Sequence, residues 1–176
     1  MTKRILPAAI ALSLFCPLSL SAQTGPVMQS LKGLNDITTM NISATAEILD
    51  EALFSFRPTE EVRSMGELLA HIAGAQYTFC STATGEENPN SENFEETATT
   101  KAQINAALEG GFAYCTEAYA GMSDATGAEM VSFFGDQMAK AGVLAFNSAH
   151  NYEHYGNLVT YMRINGITPP SSMPAG

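Results

Sequence analysis

The stretch SMGELLAHIAGAQYTFC, residues 64–80, decides the fold class of this chain. Ser64 and Glu67 have the spacing of a capping box, in which two side chains satisfy the free backbone N–H groups at the start of a helix. Apolar residues then return every three or four positions, which places them on one helical face. That stripe consists of Met65, Leu68, Leu69, Ile72, Ala75 and Phe79. We therefore predict a helix from about Ser64 to Cys80.

Three further segments show helical periodicity, from about Leu31 to Leu49, Thr100 to Met122 and Met138 to Ile164. The first carries an apolar stripe of Leu34, Ile37, Met40, Ile42, Ala46 and Leu49, and the second contains Gly110-Gly111, a pair that favours a kink. Asn165-Gly166 is a good stop signal for the last helix. No segment alternates apolar and polar residues for long, so we expect no sheet. The pattern predicts an all-α, up-and-down four-helix bundle.

The connection from Ser81 to Thr99 is long and acidic, with Gly85, Pro89 and no apolar periodicity. Long connections in compact domains are often lids or binding loops. A solvated acidic excursion is the alternative interpretation, and the sequence leaves both open.

The composition excludes some classes of function. Apolar residues make up 45% of the chain and charged residues 15%, which is typical of a packed globular protein. Asp and Glu total 18 against 8 Lys and Arg. Because a chain this acidic is repelled by phosphate backbones, general nucleic-acid binding is not expected.

The N-terminus has the pattern of a secretory leader. Lys3 and Arg4 precede an apolar run from Ile5 to Leu20, and Leu20-Ser21-Ala22 is a small-residue cleavage signal. An uncleaved anchor is the alternative, although Pro7 and Pro17 interrupt the run. We expect residues 1–22 to be removed near Ala22. The product would be one exported domain, residues 23–176, periplasmic or extracellular and without stable membrane insertion.

Two cysteines remain after the leader, Cys80 and Cys115. In an oxidising compartment such a pair is a candidate disulfide. The alternative is two small buried apolar side chains.

The chain contains three histidines, and their positions indicate a metal site. His150 and His154 are four residues apart, so they share one helical face, and His71 lies on the inner face of the helix at residues 64–80. Several buried imidazoles without partners would be unfavourable, and a shared ion is the simplest partner. Neutral nitrogen donors favour Zn²⁺, with Ni²⁺, Co²⁺ or Fe²⁺ as alternatives. Three protein ligands would leave a fourth position open for chemistry.

Candidates for supporting catalytic roles are weaker. His150 to His154 matches the H-x-x-E-H pattern of inverzincin proteases, in which Glu153 would be the general base. That class is disfavoured because only a short segment follows His154. Asn147 lies one turn before His150, and Tyr161 lies one heptad after His154 on the same face. Either could orient a substrate, or both could be ordinary core residues.

The sequence segments around the histidines are GELLAHIA, residues 66–73, and HNYEHYG, residues 150–156. They resemble the corresponding segments of the DinB/YfiT superfamily of metalloenzymes. Arg57-Pro58 and the ending YMRING, residues 161–166, add to the likeness. The resemblance implies a four-helix bundle with a divalent metal held by His71, His150 and His154. It also implies thiol transfer or isomerisation through a low-molecular-weight thiol.

Two functional classes follow. The first is a metal-dependent enzyme acting on an unidentified small-molecule substrate. It would be a hydrolase or a thiol transferase, and hydrolysis needs no thiol, which an exported protein would rarely meet. The second is a non-catalytic exported bundle that binds a metal or ligand. A homodimer is a candidate assembly for either.

Overall fold

The protein is described here by a computed structural model of residues 25–174, in which most residues are helical. The helices are α1 (Pro26–Ile48), α2 (Met65–Thr84), α3 (Phe94–Thr97), α4 (Lys101–Gly121), α5 (Asp124–Gly127) and α6 (Lys140–Ile164). Short 3₁₀ helices cover Glu51–Ser55 and Pro170–Ser172. No helix within residues 25–174 combines the length and hydropathy of a membrane span. The predicted leader, residues 1–22, lies outside the described residues.

Helix α2 begins where its sequence predicts. The Ser64 hydroxyl accepts a hydrogen bond from the Glu67 backbone N–H at 3.2 Å, and the Glu67 carboxylate accepts one from the Ser64 N–H at 2.8 Å. The helix runs past Cys80 to Thr84 and is capped by Gly85, whose φ of 80° is the left-handed conformation that glycine adopts readily. The capping box is therefore confirmed as the start signal.

The four long helices pack so that α2 contacts α4 and α6, while α1 contacts the same two helices. Gly66 faces Ile104, and Cys80 is bonded to Cys115, so α2 and α4 are parallel neighbours. The expectation of strict up-and-down alternation is wrong here. Because parallel helices require the chain to return along their whole length, the connection between them must be long. We call residues 86–98 of this connection the crossover segment.

Helix α1 buries a polar face, contrary to its predicted apolar stripe. Asn35, Thr38, Asn41 and Thr45 are buried, whereas Leu34, Ile37 and Met40 are exposed. Ile42, Ala46 and Leu49 are buried as predicted. The Thr38, Asn41 and Thr45 side chains can be buried because they donate hydrogen bonds to carbonyls one turn earlier in α1, whereas Asn35 accepts one from Asn147 of α6.

Asn35 belongs to a buried polar layer that also contains Gln76 of α2 and Asn147 and Asn151 of α6. The Asn147 amide donates to Gln76 Oε1 at 3.0 Å and to Asn35 Oδ1 at 3.4 Å, and the Gln76 amide donates to Asn151 Oδ1 at 2.8 Å. The layer separates two apolar clusters. On α2, for example, Gln76 lies between Ala73 of one cluster and Phe79 of the other. Hydrogen bonds within this layer thus connect the middle of α1, α2 and α6.

Helices α2 and α4 approach closely. A Cβ atom at Gly111 would lie 2.7 Å from the Ala73 carbonyl oxygen, so only glycine fits there. Helix α4 continues through Gly110-Gly111, so the glycines serve contact with α2 and do not break the helix. The Cys80–Cys115 disulfide joins the same two helices, with Cα atoms 5.4 Å apart.

A two-stranded hairpin, β1 (Met130–Phe133) and β2 (Asp136–Ala139), precedes α6. The strands pair antiparallel, with Phe133 opposite Asp136. The expectation that the chain has no sheet is therefore wrong. Phe134 and Gly135 form the turn with φ values of 50° and 91°, as a type I′ turn requires. The sequence signal is weak because phenylalanine stands where asparagine or glycine is usual.

Candidate metal centre

The structure brings the three predicted histidines together. His71 comes from α2, and His150 and His154 come from consecutive turns of the antiparallel neighbour α6. The Nε2 atom of His150 lies 3.1 Å from Nε2 of His71 and 3.0 Å from Nε2 of His154. One nitrogen from each ring lies within 4.8 Å of the others. The cluster can therefore hold a metal ion.

The nitrogen positions are compatible with a metal ion shared by the three rings. Nitrogens bound to one tetrahedral zinc ion are about 3.3 Å apart, close to the two distances that His150 Nε2 makes with the other rings. The Nδ1 atoms of His150 and His154 are buried and have no hydrogen-bond partner within the protein. If Nδ1 carries the proton on each ring, the Nε2 lone pair of His150 lies close to those of His71 and His154. A cation bound by these nitrogens would relieve their repulsion.

Burial keeps the α6 imidazoles neutral, as metal ligands must be. Burial is the main cause that lowers the pKa of His150 to about 3, and the neighbouring basic groups of His154, His71 and Arg63 act in the same direction. Burial and His71 also lower the pKa of His154, against the opposing influence of Glu153. Both rings therefore offer a lone pair at neutral pH.

Glu95 orients His71 from the crossover segment. Its Oε1 atom accepts a hydrogen bond from His71 Nδ1 at 2.7 Å, and its Oε2 atom accepts one from Arg63 Nε, also at 2.7 Å. Burial alone would raise the pKa of Glu95, but hydrogen bonds from Arg63 and His71 outweigh it, so this pKa lies below its usual range. The carboxylate fixes the proton of His71 on Nδ1 and directs Nε2 toward the other rings.

Sequence reasoning missed Glu95. It belongs to the acidic stretch Ser81–Thr99, in which nothing distinguishes it from the neighbouring glutamates. Part of that stretch is helical, since α2 extends to Thr84 and α3 covers Phe94–Thr97. The parallel arrangement of α2 and α4 brings this stretch back across α2, next to His71.

A cavity of about 490 Å³ opens beside the histidines. One wall is the face of α2 that carries His71, and the opposite wall is the crossover segment from Asn88 to Glu95. His150, Phe79 and Phe134 complete the lining. The volume is in the range of small-molecule sites. The long connection is thus a wall of this cavity and not a free excursion into solvent.

The weaker candidates lie elsewhere. Asn147 is fully buried in the polar layer, and Tyr161 packs edge-on against Phe56 with ring centroids 6.1 Å apart. Glu153 is exposed. None of the three lines the cavity.

The model of the DinB superfamily matches residues 35–158, which is more than half of the chain. The chain belongs to the DinB superfamily. The match includes all three histidines, Glu95 and the crossover segment of this DinB-superfamily protein. No curated protein matches it.

Solved DinB-like structures share its fold. A DinB-like protein from Bacillus cereus ATCC 10987 is 19% identical with a TM-score of 0.69, over 82% of this chain and 93% of that chain. The DinB-like protein YjoA from Bacillus subtilis is 20% identical with a TM-score of 0.63, over 86% and 96% of the two chains. At these identities the likeness concerns the fold alone.

Proposed function

We propose that this protein is a metal-dependent enzyme whose single ion is held by His71, His150 and His154. The observation that carries the proposal is the convergence of three Nε2 atoms from two helices beside an open cavity. Three neutral nitrogen donors favour zinc, with nickel, cobalt or iron as alternatives. With three protein ligands, the ion keeps a position for substrate.

The surroundings of the site support this role. A divalent ion there would supply Lewis acidity, which polarises a carbonyl or activates a coordinating nucleophile. Glu95 would hold the Nδ1 proton of His71, keeping that ring in the binding tautomer, and Arg63 would hold Glu95 in place. The cavity would admit a small-molecule substrate, and the crossover segment would shield it from solvent on one side.

The reaction class is a hydrolase or a thiol transferase. Hydrolysis requires only water as the second reactant, which suits a protein outside the cytoplasm. The leader pattern at residues 1–22 supports export, and the Cys80–Cys115 bond is of the kind found in oxidising compartments. We further propose that α1, α2, α4 and α6 form a four-helix bundle, supported by the contacts of each helix with two others.

A non-catalytic metal-binding or ligand-binding protein is the second candidate. It is favoured by one observation: Glu153, Asn147 and Tyr161 all lie outside the cavity, so none of them can serve as a base there. Glu95 lines the cavity but is engaged by Arg63 and His71.

Screening the metal-loaded protein against esters, amides and thiol adducts separates the two candidates. The enzyme proposal predicts turnover that stops on chelation, returns with added metal and is absent in His71→Ala. Glu153→Ala is the matched control and should retain the turnover. Metal binding at one ion per chain without turnover of any of these classes would favour the non-catalytic protein.

A further inference from the structure

Phe134 occupies a position that is unfavourable for its side chain. It is the first residue of the hairpin turn, with φ of 50°, and its side chain is 76% exposed. Asparagine or glycine adopts this left-handed conformation at lower cost. The exposed ring gains little from burial that would offset this cost.

The ring of Phe134 continues an aromatic wall that begins at the histidine cluster. The ring centroid of Phe79 lies 5.1 Å from that of His150, and the centroid of Phe134 lies 6.4 Å from that of Phe79. Phe146 lies 5.8 Å from Phe134 and 5.3 Å from Phe79, in both cases edge to face. Phe79 and Phe134 both line the cavity. An apolar surface therefore extends from His150 through Phe79 to the exposed ring of Phe134.

We propose that Phe134 determines specificity by contacting an aromatic ring of the substrate while a polar head group reaches the three histidines. This inference rests on the proposed function and adds the class of substrate: a small molecule with a metal-coordinating head and an aromatic ring. A ring from the substrate would cover the exposed face of Phe134 and find edge-to-face partners already arranged.

Two hydroxamates that differ only in the group beside the head test the inference. Acetohydroxamate and benzohydroxamate are titrated into zinc-loaded protein by calorimetry. The wild type should bind benzohydroxamate about tenfold more tightly than acetohydroxamate, since the phenyl ring adds apolar contact. Phe134→Asn should reduce this preference to about threefold or less. Tyr152→Ala removes an exposed aromatic ring outside the cavity and should keep the preference.

Thermal unfolding of the same variants separates specificity from a structural role. Because asparagine suits the turn, Phe134→Asn should unfold at the wild-type temperature or above it. A fall in unfolding temperature, or an unchanged ring preference in Phe134→Asn, would overturn the inference. Zinc-dependent binding of both probes with equal affinity would overturn the inference alone. No zinc-dependent binding of either probe would count against the proposed function as well.

Discussion

Glu95 and His71 are 24 residues apart, yet the carboxylate Oε1 lies 2.7 Å from the imidazole Nδ1. This contact joins the crossover segment to the histidine cluster. It makes the orientation of a candidate metal ligand depend on a part of the chain that contributes no ligand itself.

Replacing Glu95 by Gln should weaken zinc binding by about 10-fold to 100-fold, because the amide is a poorer acceptor for the His71 Nδ1 proton. Competition with a chromogenic chelator measures the zinc affinity. Glu87→Gln is the matched control, since Glu87 is an exposed acidic residue of the same segment outside the cavity lining. Equal zinc affinity in the wild type and Glu95→Gln would show that the contact does not position His71.

The metal-free protein should lose stability as the pH falls below about 6.5. Burial lowers the pKa of His150 to about 3 in the folded state, whereas the unfolded chain takes up its proton near 6.5. Between these values the unfolded state binds more protons, so the free energy of unfolding rises with pH and falls on acidification. Urea unfolding at pH 7.5 and 5.5 measures this loss before the carboxylates titrate.

The loss should be smaller in His150→Gln, which has no imidazole to protonate at this position. The free energy of unfolding of His150→Gln and of the wild type is measured at both pH values, and the two losses are compared. An equal loss in the two proteins would place the pH dependence elsewhere.

Gly111→Ala should destabilise the protein by about 1–3 kcal/mol, because the added methyl group would meet the Ala73 carbonyl oxygen of α2. Gly33→Ala is the matched control, since nothing lies within 4 Å of a Cβ atom at that position of α1. That substitution should stabilise the protein by about 0.5–1 kcal/mol. Urea unfolding gives both values. Stabilisation by Gly111→Ala, as expected for Gly33→Ala, would contradict the close α2–α4 contact.

Removing the disulfide by Cys80→Ala with Cys115→Ala should lower the free energy of unfolding by about 2–4 kcal/mol. The wild type purified without reductant should show no free thiol at these positions under denaturing conditions. The double variant tests stability, and thiol titration tests the bond itself. Two reactive thiols in the unreduced wild type would contradict the pairing.

Local signals in the sequence predicted the helices well where local physics decides them. Ser64 and Glu67 mark the start of α2 because a capping box depends only on neighbouring residues. The shared face of His150 and His154 follows from helical geometry in the same way. The position of His71 on the inner face of α2 could also be predicted, because His71 follows the apolar periodicity of that helix.

Features that depend on distant partners could not be predicted in this way. The buried face of α1 carries Asn35, which hydropathy assigns to solvent, because its partner Asn147 lies on α6. Glu95 gave no local signal because its role depends on the parallel packing of α2 and α4. The hairpin was hidden because Phe134 occupies a turn position that usually identifies itself by asparagine or glycine.

The metal content of purified protein tests the central claim most directly. The chain is saturated with zinc, freed of excess metal by gel filtration and analysed by elemental mass spectrometry, with His150→Gln treated in parallel. The three-histidine centre predicts about one zinc ion per wild-type chain and less than a tenth of that in His150→Gln. Equal zinc content in the two proteins, or almost none in the wild type, would contradict it.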